Sequence, residues 1–168
     1  LVIAVQVGGS PSKEKTNSFR QKYISDGISK IKLFDSQLID SISSMRIDGK
    51  SEKIIEEYTF TSKGEHDIEI FLKKELNGME KLFKGCTNLE SITVLGNITS
   101  IPTSTFEGCS SLASMPIPNS VTSIAATAFK DCTSLTSITI PSSVTTIYAN
   151  AFQGCTALKE INYNVTTL

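Results

Sequence analysis

The sequence predicts an α+β fold that is mostly β: a stack of 23-residue layers joined by a parallel strand ladder, covered at its N-terminal end by a small antiparallel β module. Three observations predict it. Four cysteines, Cys86, Cys109, Cys132 and Cys155, stand at a constant step of 23 residues. The apolar columns around them keep the same step. Charged residues number 26 before residue 82 and only 7 from it onward, a composition change that marks two architectures in one chain.

Zinc ligands come in close pairs and disulfide frameworks have irregular spacings, so an identical gap repeated three times marks an internal repeat instead. Phe83, Phe106, Phe129 and Phe152 precede the cysteines by three residues. Leu89, Leu112, Leu135 and Leu158 follow by three, and Ile92, Met115, Ile138 and Ile161 come next. Further columns are Val94, Ile117, Ile140 and Tyr163; Ile98, Val121 and Val144; and Ile101, Ile124 and Ile147. The unit reads L-x-x-I-x-I-P-x-x-V-x-x-I-x-x-x-A-F-x-x-C-x-x. Copies 112–134 and 135–157 obey it; copy 89–111 carries Leu95 and Thr105 in place of the proline and the alanine.

One such unit cannot bury its own apolar face, so copies must stack. The L-x-x-I-x-I stretch ends in period-2 alternation, which suits a short strand, and stacked copies make a parallel ladder at about 4.8 Å spacing. The V-x-x-I stretch, rich in β-branched residues, predicts a second short extended segment. A-F-x-x-C reads as one helical or 3₁₀ turn. Pro102 suits its opening. Gly85, Gly108 and Gly154 close three such turns where a left-handed residue is wanted, and Asp131 is the tolerated substitute in the third copy. Phenylalanines then stack on phenylalanines, and the cysteines pack as small buried hydrophobes. Disulfides between adjacent cysteines are disfavoured because parallel side chains leave the Cβ atoms slightly too far apart. Metal binding or nucleophilic catalysis is disfavoured because no histidine or acid recurs in step.

These residues carry a resemblance. The stretch SVTSIAATAFKDCTSLTSITIPSSVTTIYANAFQGCTAL is similar to the BspA-like (Treponema pallidum type) leucine-rich-repeat family of bacterial surface proteins. The resemblance covers residues 82–168. It implies a right-handed, curved leucine-rich-repeat solenoid of about four repeats, a secreted or cell-surface location, and adhesion to host or microbial surface proteins or glycans. Leu95, Thr105 and the tail Asn162-Tyr163-Asn164-Val165 depart from the pattern.

Residues 1–81 do not repeat. Residues 1–7 are apolar and strand-like, and too few for a complete signal peptide; they read as the start of a mature or cloned chain. Residues 8–29 read as a linker or loose loop, so 1–29 is an N-terminal strand and linker. Residues 30–81 read as a small β-rich module covering the first layer. Its strand-like runs are 30–34, 39–47 and 54–60, with Asp48-Gly49 as a tight turn. Alternation on both sides of Ser62-Lys63-Gly64 predicts a hairpin between residues 58–60 and 66–70. Leu72, Leu76, Met79 and Leu82 have helical spacing, which suits a short joining helix. His66 is expected to be an exposed or half-buried sheet residue rather than a ligand or catalyst.

In such a stack the non-core strand residues line one face, the usual binding surface. The predicted partner-binding columns are Ser91, Ser114, Ser137 and Glu160, then Thr93, Pro116, Thr139 and Asn162. A third column holds Leu95, Pro118, Pro141 and Asn164. This face is small, hydroxyl-rich and nearly uncharged, without the aromatic anchors that dominate hot spots. Ser and Thr are equally at home on a β surface with no ligand. A net charge of −1 argues against a nucleic-acid binder. No apolar run reaches the roughly 20 residues that span a bilayer, so no membrane insertion is expected. The chain's one histidine lies outside the repeat, which holds few acids, and this argues against an enzyme; no cofactor or metal is expected, and a monomer is. The leading reading is an extracellular, non-enzymatic binding or adhesion protein; the alternative is a structural spacer with no ligand of its own. Asn97 and Asn164 begin N-glycosylation patterns, which are empty in a bacterial protein.

Overall fold

A computed structural model of the chain describes residues 2–4, 18–25, 29–72, 80–94 and 98–164. The architecture is mostly β: thirteen strands and one 3₁₀ turn, Ser36–Ser41, among the described residues.

The first half builds a six-stranded sheet. Strand β7 (Gly64–Leu72) runs through its middle, antiparallel to β2 (Ser18–Ser25) on one edge and β4 (Ile42–Ile47) on the other. β4 turns through Asp48-Gly49 into β5 (Lys50–Glu52). Both turn residues are left-handed, with φ of 50° and 75°. That is the backbone a two-residue hairpin turn requires, as the dipeptide predicts. β1 (Val2–Ala4) and β8 (Thr93–Val94) lie along the outer edge of β2. β3 (Ser29–Lys32) pairs separately with β6 (Glu57–Phe60).

Several expectations are corrected here. Residues 18–25 are a strand, not part of a linker. Phe19 and Tyr23 alternate with Arg20 and Lys22, a strand pattern that the surrounding charge disguises. The run 30–34 ends its strand at Lys32; Leu33 and Phe34 leave it and become fully buried. Residues 39–41 belong to the 3₁₀ turn, because the Asp35 carboxylate accepts from the Gln37 amide at 3.0 Å and caps that turn against extension. The run 54–60 is strand only from Glu57. The expected 58–60/66–70 hairpin does not form: β2 and β4 occupy both edges of β7, so β6 pairs with β3 instead. Phe60 stacks on His66 with ring centroids 4.2 Å apart. Residues 5–17 and 26–28 lie outside the described residues, as do residues 73–79 of the predicted joining helix.

The second half repeats. β9 (Ser100–Ile101), β10 (Ser123–Ile124) and β12 (Thr146–Ile147) pair parallel, Ser100 with Ser123 and Ser123 with Thr146, each 23 residues on. This is the second extended segment the V-x-x-I stretch predicts. On the other side β11 (Ser137–Ile140) pairs with β13 (Glu160–Tyr163), again at a step of 23, and Ser91 bridges Ser114. Phe83, Phe106, Phe129 and Phe152 stack in order, with ring centroids 5.5, 5.3 and 5.2 Å apart. Their amides stitch the same layers together: Phe83 N–H donates to Thr105 O at 2.9 Å, and Phe106 N–H to Ala128 O and Phe129 N–H to Ala151 O at 2.8 Å each.

The A-F-x-x-C corner is a turn closed by i→i+3 bonds, such as Glu107 N–H to Ser104 O and Lys130 N–H to Thr127 O. Gly85, Gly108, Asp131 and Gly154 are left-handed, as expected, with φ between 58° and 76°. A Cβ on Gly154 would lie 2.1 Å from Asp131 Oδ1, so this position needs glycine on two counts. A second left-handed column, Lys81, Ser104, Thr127 and Asn150, opens each corner. The sequence does not announce it: of these residue types only asparagine favours that conformation.

The two halves share one buried core running from Ile31 to Ala151. At their junction the Asp35 amide donates to Leu82 O at 2.8 Å and Lys32 Nζ to Lys84 O at 3.0 Å. The apolar columns are not wholly buried: in the fourth layer Phe152, Cys155 and Leu158 are half-buried, and Ile147, Ile161 and Tyr163 are exposed. That layer has a neighbour on one side only among the described residues.

Candidate binding face

Along β11 the pattern is strict. Ser137 and Thr139 point out while Ile138 and Ile140 point in. Glu160 and Asn162 stand beside them on β13, both exposed, in register with Ser137 and Thr139. In the preceding layer Ser114 and Pro116 are exposed and Met115 and Ile117 buried, so the alternation continues although no strand forms. The predicted columns thus come together over these three layers. Ser91 is half-buried, and its Oγ is shielded from water with no hydrogen-bond partner among the described residues. Thr93 is placed in β8, against the N-terminal sheet. In the third column Pro141 is buried and Pro118 half-buried, Asn164 is exposed, and Leu95 lies outside the described residues.

Several threonine hydroxyls elsewhere tie layer to layer: Thr122 Oγ1 donates to Thr99 O at 3.0 Å, Thr145 Oγ1 to Thr122 O at 3.3 Å and Thr133 Oγ1 to Ser110 O at 3.2 Å. Those of Ser114, Ser137 and Thr139 have no hydrogen-bond partner among the described residues and face solvent.

One residue interrupts the ladder. Ser114-Met115-Pro116-Ile117-Pro118 and Ser137-Ile138-Thr139-Ile140-Pro141 differ in the apolar second place and in Pro116, which stands where the next copy has Thr139. Proline fixes φ near −65° and pushes the residue before it toward a polyproline-like backbone, whose peptide groups rotate about the chain rather than alternate. No backbone hydrogen bond joins 114–118 to β11. The layers part there into a cleft of ≈ 340 Å³, walled by Met115, Pro116, Ile117 and Ile138 and rimmed by Ser114, Ser137, Thr139 and Asn164. The neighbouring phenylalanine pair, Phe106 and Phe129, has the largest ring tilt of the stack, 16° against 9° and 6°.

Apart from Glu160, charge lies elsewhere. Lys84 and Glu107 pair at 3.0 Å on the corner side. The Ser104 hydroxyl, and after it Lys84, holds the Glu107 carboxyl below its usual range against the effect of burial.

The cysteines form an inner column. Three of the thiols donate to the carbonyl of the phenylalanine in the layer before: Cys109 to Phe83 O at 3.0 Å, Cys132 to Phe106 O at 3.2 Å and Cys155 to Phe129 O at 3.0 Å. All four are free. Burial pushes Cys86 up to about 12 and Cys109 well up. The Cys132 thiol is raised by its hydrogen bond to Cys155 and by burial. Cys155, half-buried, is lowered because on its ionisation the Cys132 S–H turns from Phe106 O to the new thiolate. At about pH 8 a maleimide therefore labels Cys155 first, with the other three at least about tenfold slower, and all four react after denaturation. Equal native rates for all four, followed by mass spectrometry, would contradict the buried column.

His66 is buried, more so than its sequence position suggests. Its Nδ1 lies 2.8 Å from Asp48 Oδ2 and its Nε2 3.2 Å from Ser62 O. An acceptor faces each nitrogen, so the doubly protonated ring satisfies both; in the neutral ring Nε2 can accept only from the Ser62 hydroxyl, at 3.5 Å. Burial lowers its pKa, but the Asp48 and Ser62 bonds and the Asp48 charge outweigh that and raise it above 6.5. A raised folded value means the stabilisation is complete below about 6.5 and is lost as pH rises through the folded pKa. The melting temperature is thus expected to fall as pH rises from about 6.5 through the folded pKa, and Asp48→Asn to flatten that dependence. A wild-type profile as flat as that of the variant would contradict this coupling. Among the described residues no three His, Cys, Asp or Glu side chains are grouped to hold a metal.

The 23-residue layers and their columns match a family model, the BspA type Leucine rich repeat region (6 copies), over residues 79–168. The chain belongs to the BspA-type leucine-rich-repeat family. A crystal structure of a leucine rich cell surface protein from Faecalibacterium prausnitzii A2-165 is similar to this BspA-type chain at 45% identity, with a TM-score of 0.47, over 49% of this chain and 22% of that one. A leucine-rich repeat protein from Bacteroides ovatus ATCC 8483 is similar at 36% identity, with a TM-score of 0.46, over 49% of this chain and 21% of that one. The BspA-type chain thus matches about a fifth of the length of each solved chain. No curated protein matches. No helix among the described residues is long and apolar enough to cross a membrane.

Proposed function

We propose that this protein is an extracellular, non-enzymatic binding or adhesion module, secreted or held at the cell surface, that presents the strand face of residues 114–164 to a protein or glycan of a host or microbial surface. In this reading residues 82–168 are a right-handed solenoid and residues 30–81 a module that covers its first layer. The chain acts as a monomer. Membership of the BspA-type family supports a surface role, as does the similarity to a cell surface protein. The contacts of Lys32 and Asp35 with the first layer support the covering role.

The observation that carries the reading is the registered row of exposed hydroxyls on the strand face. The fold uses those of Thr122, Thr133 and Thr145 and leaves those of Ser114, Ser137 and Thr139 exposed and unpartnered. The face lacks aromatic anchors, so single-site affinity is weak and many copies on a surface make it effective. The test is a triple substitution, Ser114→Lys, Ser137→Lys and Thr139→Lys, assayed on immobilised matrix proteins and glycan arrays. Binding is expected to fall at least about tenfold with an unchanged melting temperature, since exposed substitutions of this kind leave stability nearly untouched. Unchanged binding favours the spacer.

A further inference from the structure

We propose that Cys132 and Cys155 are a redox-active dithiol, which small disulfides in the surrounding medium convert to a cross-link that staples the fourth layer of the stack to the third. This property of the stack is independent of what the strand face binds.

The two cysteines meet on one carbonyl. Cys132 N–H donates to Phe129 O at 3.2 Å, and the Cys155 thiol donates to the same oxygen at 3.0 Å. Their backbones are held one layer apart: Asp131 N–H donates to Gln153 O at 2.7 Å, and the Phe129 and Phe152 rings stack at 5.2 Å. A layer step of that size falls inside the Cα window of a disulfide, about 4.4–6.8 Å. The obstacle lies at Cβ, where parallel side chains start farther apart than the roughly 3.8 Å a disulfide needs. Inner layers are packed on both sides and cannot give way. The fourth layer is packed on one side only among the described residues, and its Phe152, Cys155 and Leu158 are half-buried. It can tilt toward the third by the small amount the bond requires.

Position also decides reactivity. Cys86, Cys109 and Cys132 are buried, whereas Cys155 is half-exposed between Gly154 and Thr156, both exposed. Its thiol is also the one held low, by the Cys132 S–H, and the thiolate is the attacking form. Cys86 and Cys109 meet on Phe83 O in the same way, but burial pushes both thiols up. The last pair alone joins a reachable nucleophile to a buried partner. The exchange takes two steps. The Cys155 thiolate attacks one sulfur of a small disulfide RSSR, which forms Cys155–S–S–R and releases RS⁻. The Cys132 thiol then gives up its proton, attacks Cys155 Sγ and expels the second RS⁻. The two thiolates released take up the two protons the protein has lost, so the dithiol is oxidised by two electrons and RSSR is reduced to two RSH. Such oxidants belong to the medium outside a cell, the location proposed above. The Asp131 carboxylate next to Gly154 favours a cationic R group, so cystamine is the probe.

The test incubates the reduced full chain with cystamine at about pH 8, without denaturant, and follows it by intact mass and peptide mapping. A transient cysteamine adduct at Cys155 is expected first. A Cys132–Cys155 cross-link with the loss of two hydrogens follows, while Cys86 and Cys109 stay free. The cross-linked protein is expected to melt at a higher temperature, and dithiothreitol to reverse both changes. In Cys132→Ala the adduct is expected to form at Cys155 and to last at least about tenfold longer than in the wild type. Cys155→Ala alters only the half-buried end layer and is expected to slow the oxidation of Cys132 at least about tenfold. A wild-type adduct at Cys155 that persists without cross-linking would overturn the proposal. So would reaction at Cys109 as fast as at Cys155, or a Cys109–Cys132 cross-link in equal yield.

Discussion

Replacing Phe129 by alanine lowers the unfolding free energy by about 3–5 kcal/mol. The ring is fully buried between two others, 5.3 Å from Phe106 and 5.2 Å from Phe152. Its loss removes transfer energy and leaves a cavity that the layers above and below cannot close. Each layer touches only its neighbours, so a defect in a middle layer cuts the stack in two. Phe152→Ala is expected to cost less than half as much, because that ring is half-buried and has one stacking partner among the described residues. Denaturant midpoints of the two variants measure the difference. A near-zero shift for Phe129→Ala, or equal shifts for both, contradicts burial of the column.

Phe34→Ala is expected to be as severe, at about 3–5 kcal/mol, and to act at a different place. Phe34 is fully buried, next to the Asp35 amide that donates to Leu82 O. It belongs to the N-terminal half, and its burial forms part of the core shared with the first layer. Its removal should loosen that layer first. Cys86, at 1% exposure, is the reporter. In the variant its labelling rate should rise at least about tenfold while that of Cys132 stays slow, since local opening is confined to neighbouring contacts. Unchanged protection of Cys86 would show that Phe34 does not cover the first layer.

What the sequence made legible follows from where the information lies. A stack of like layers writes its core into the chain at a fixed stride, so the phenylalanine and cysteine columns, both extended segments and the left-handed glycines can be read directly. The N-terminal half has no such redundancy. β2 was hidden because its charged residues mimic a linker. The 58–70 hairpin was misread because the alternation tells that a strand exists, not which edge is free, and both edges of β7 were taken by distant segments. The left-handed Thr127 and Ser104 were invisible because tertiary bonds, such as Ser104 Oγ to Thr127 Oγ1 at 2.8 Å, set their backbone rather than residue type. On the candidate face, the columns were legible by the same stride. The consequence of Pro116 was not, although the residue itself stood out against Thr139. A proline in a ladder predicts the local loss of a strand, but the cleft that results depends on how the adjoining layers settle.

The most direct test of the stacked interior is an aromatic nuclear Overhauser experiment on protein labelled only at its phenylalanine rings. Cross-peaks are expected for Phe83 with Phe106, Phe106 with Phe129, and Phe129 with Phe152, with none between rings two layers apart and no cross-peak to water at Phe106 or Phe129. Missing neighbour cross-peaks, or water contact at those two rings, would contradict the account.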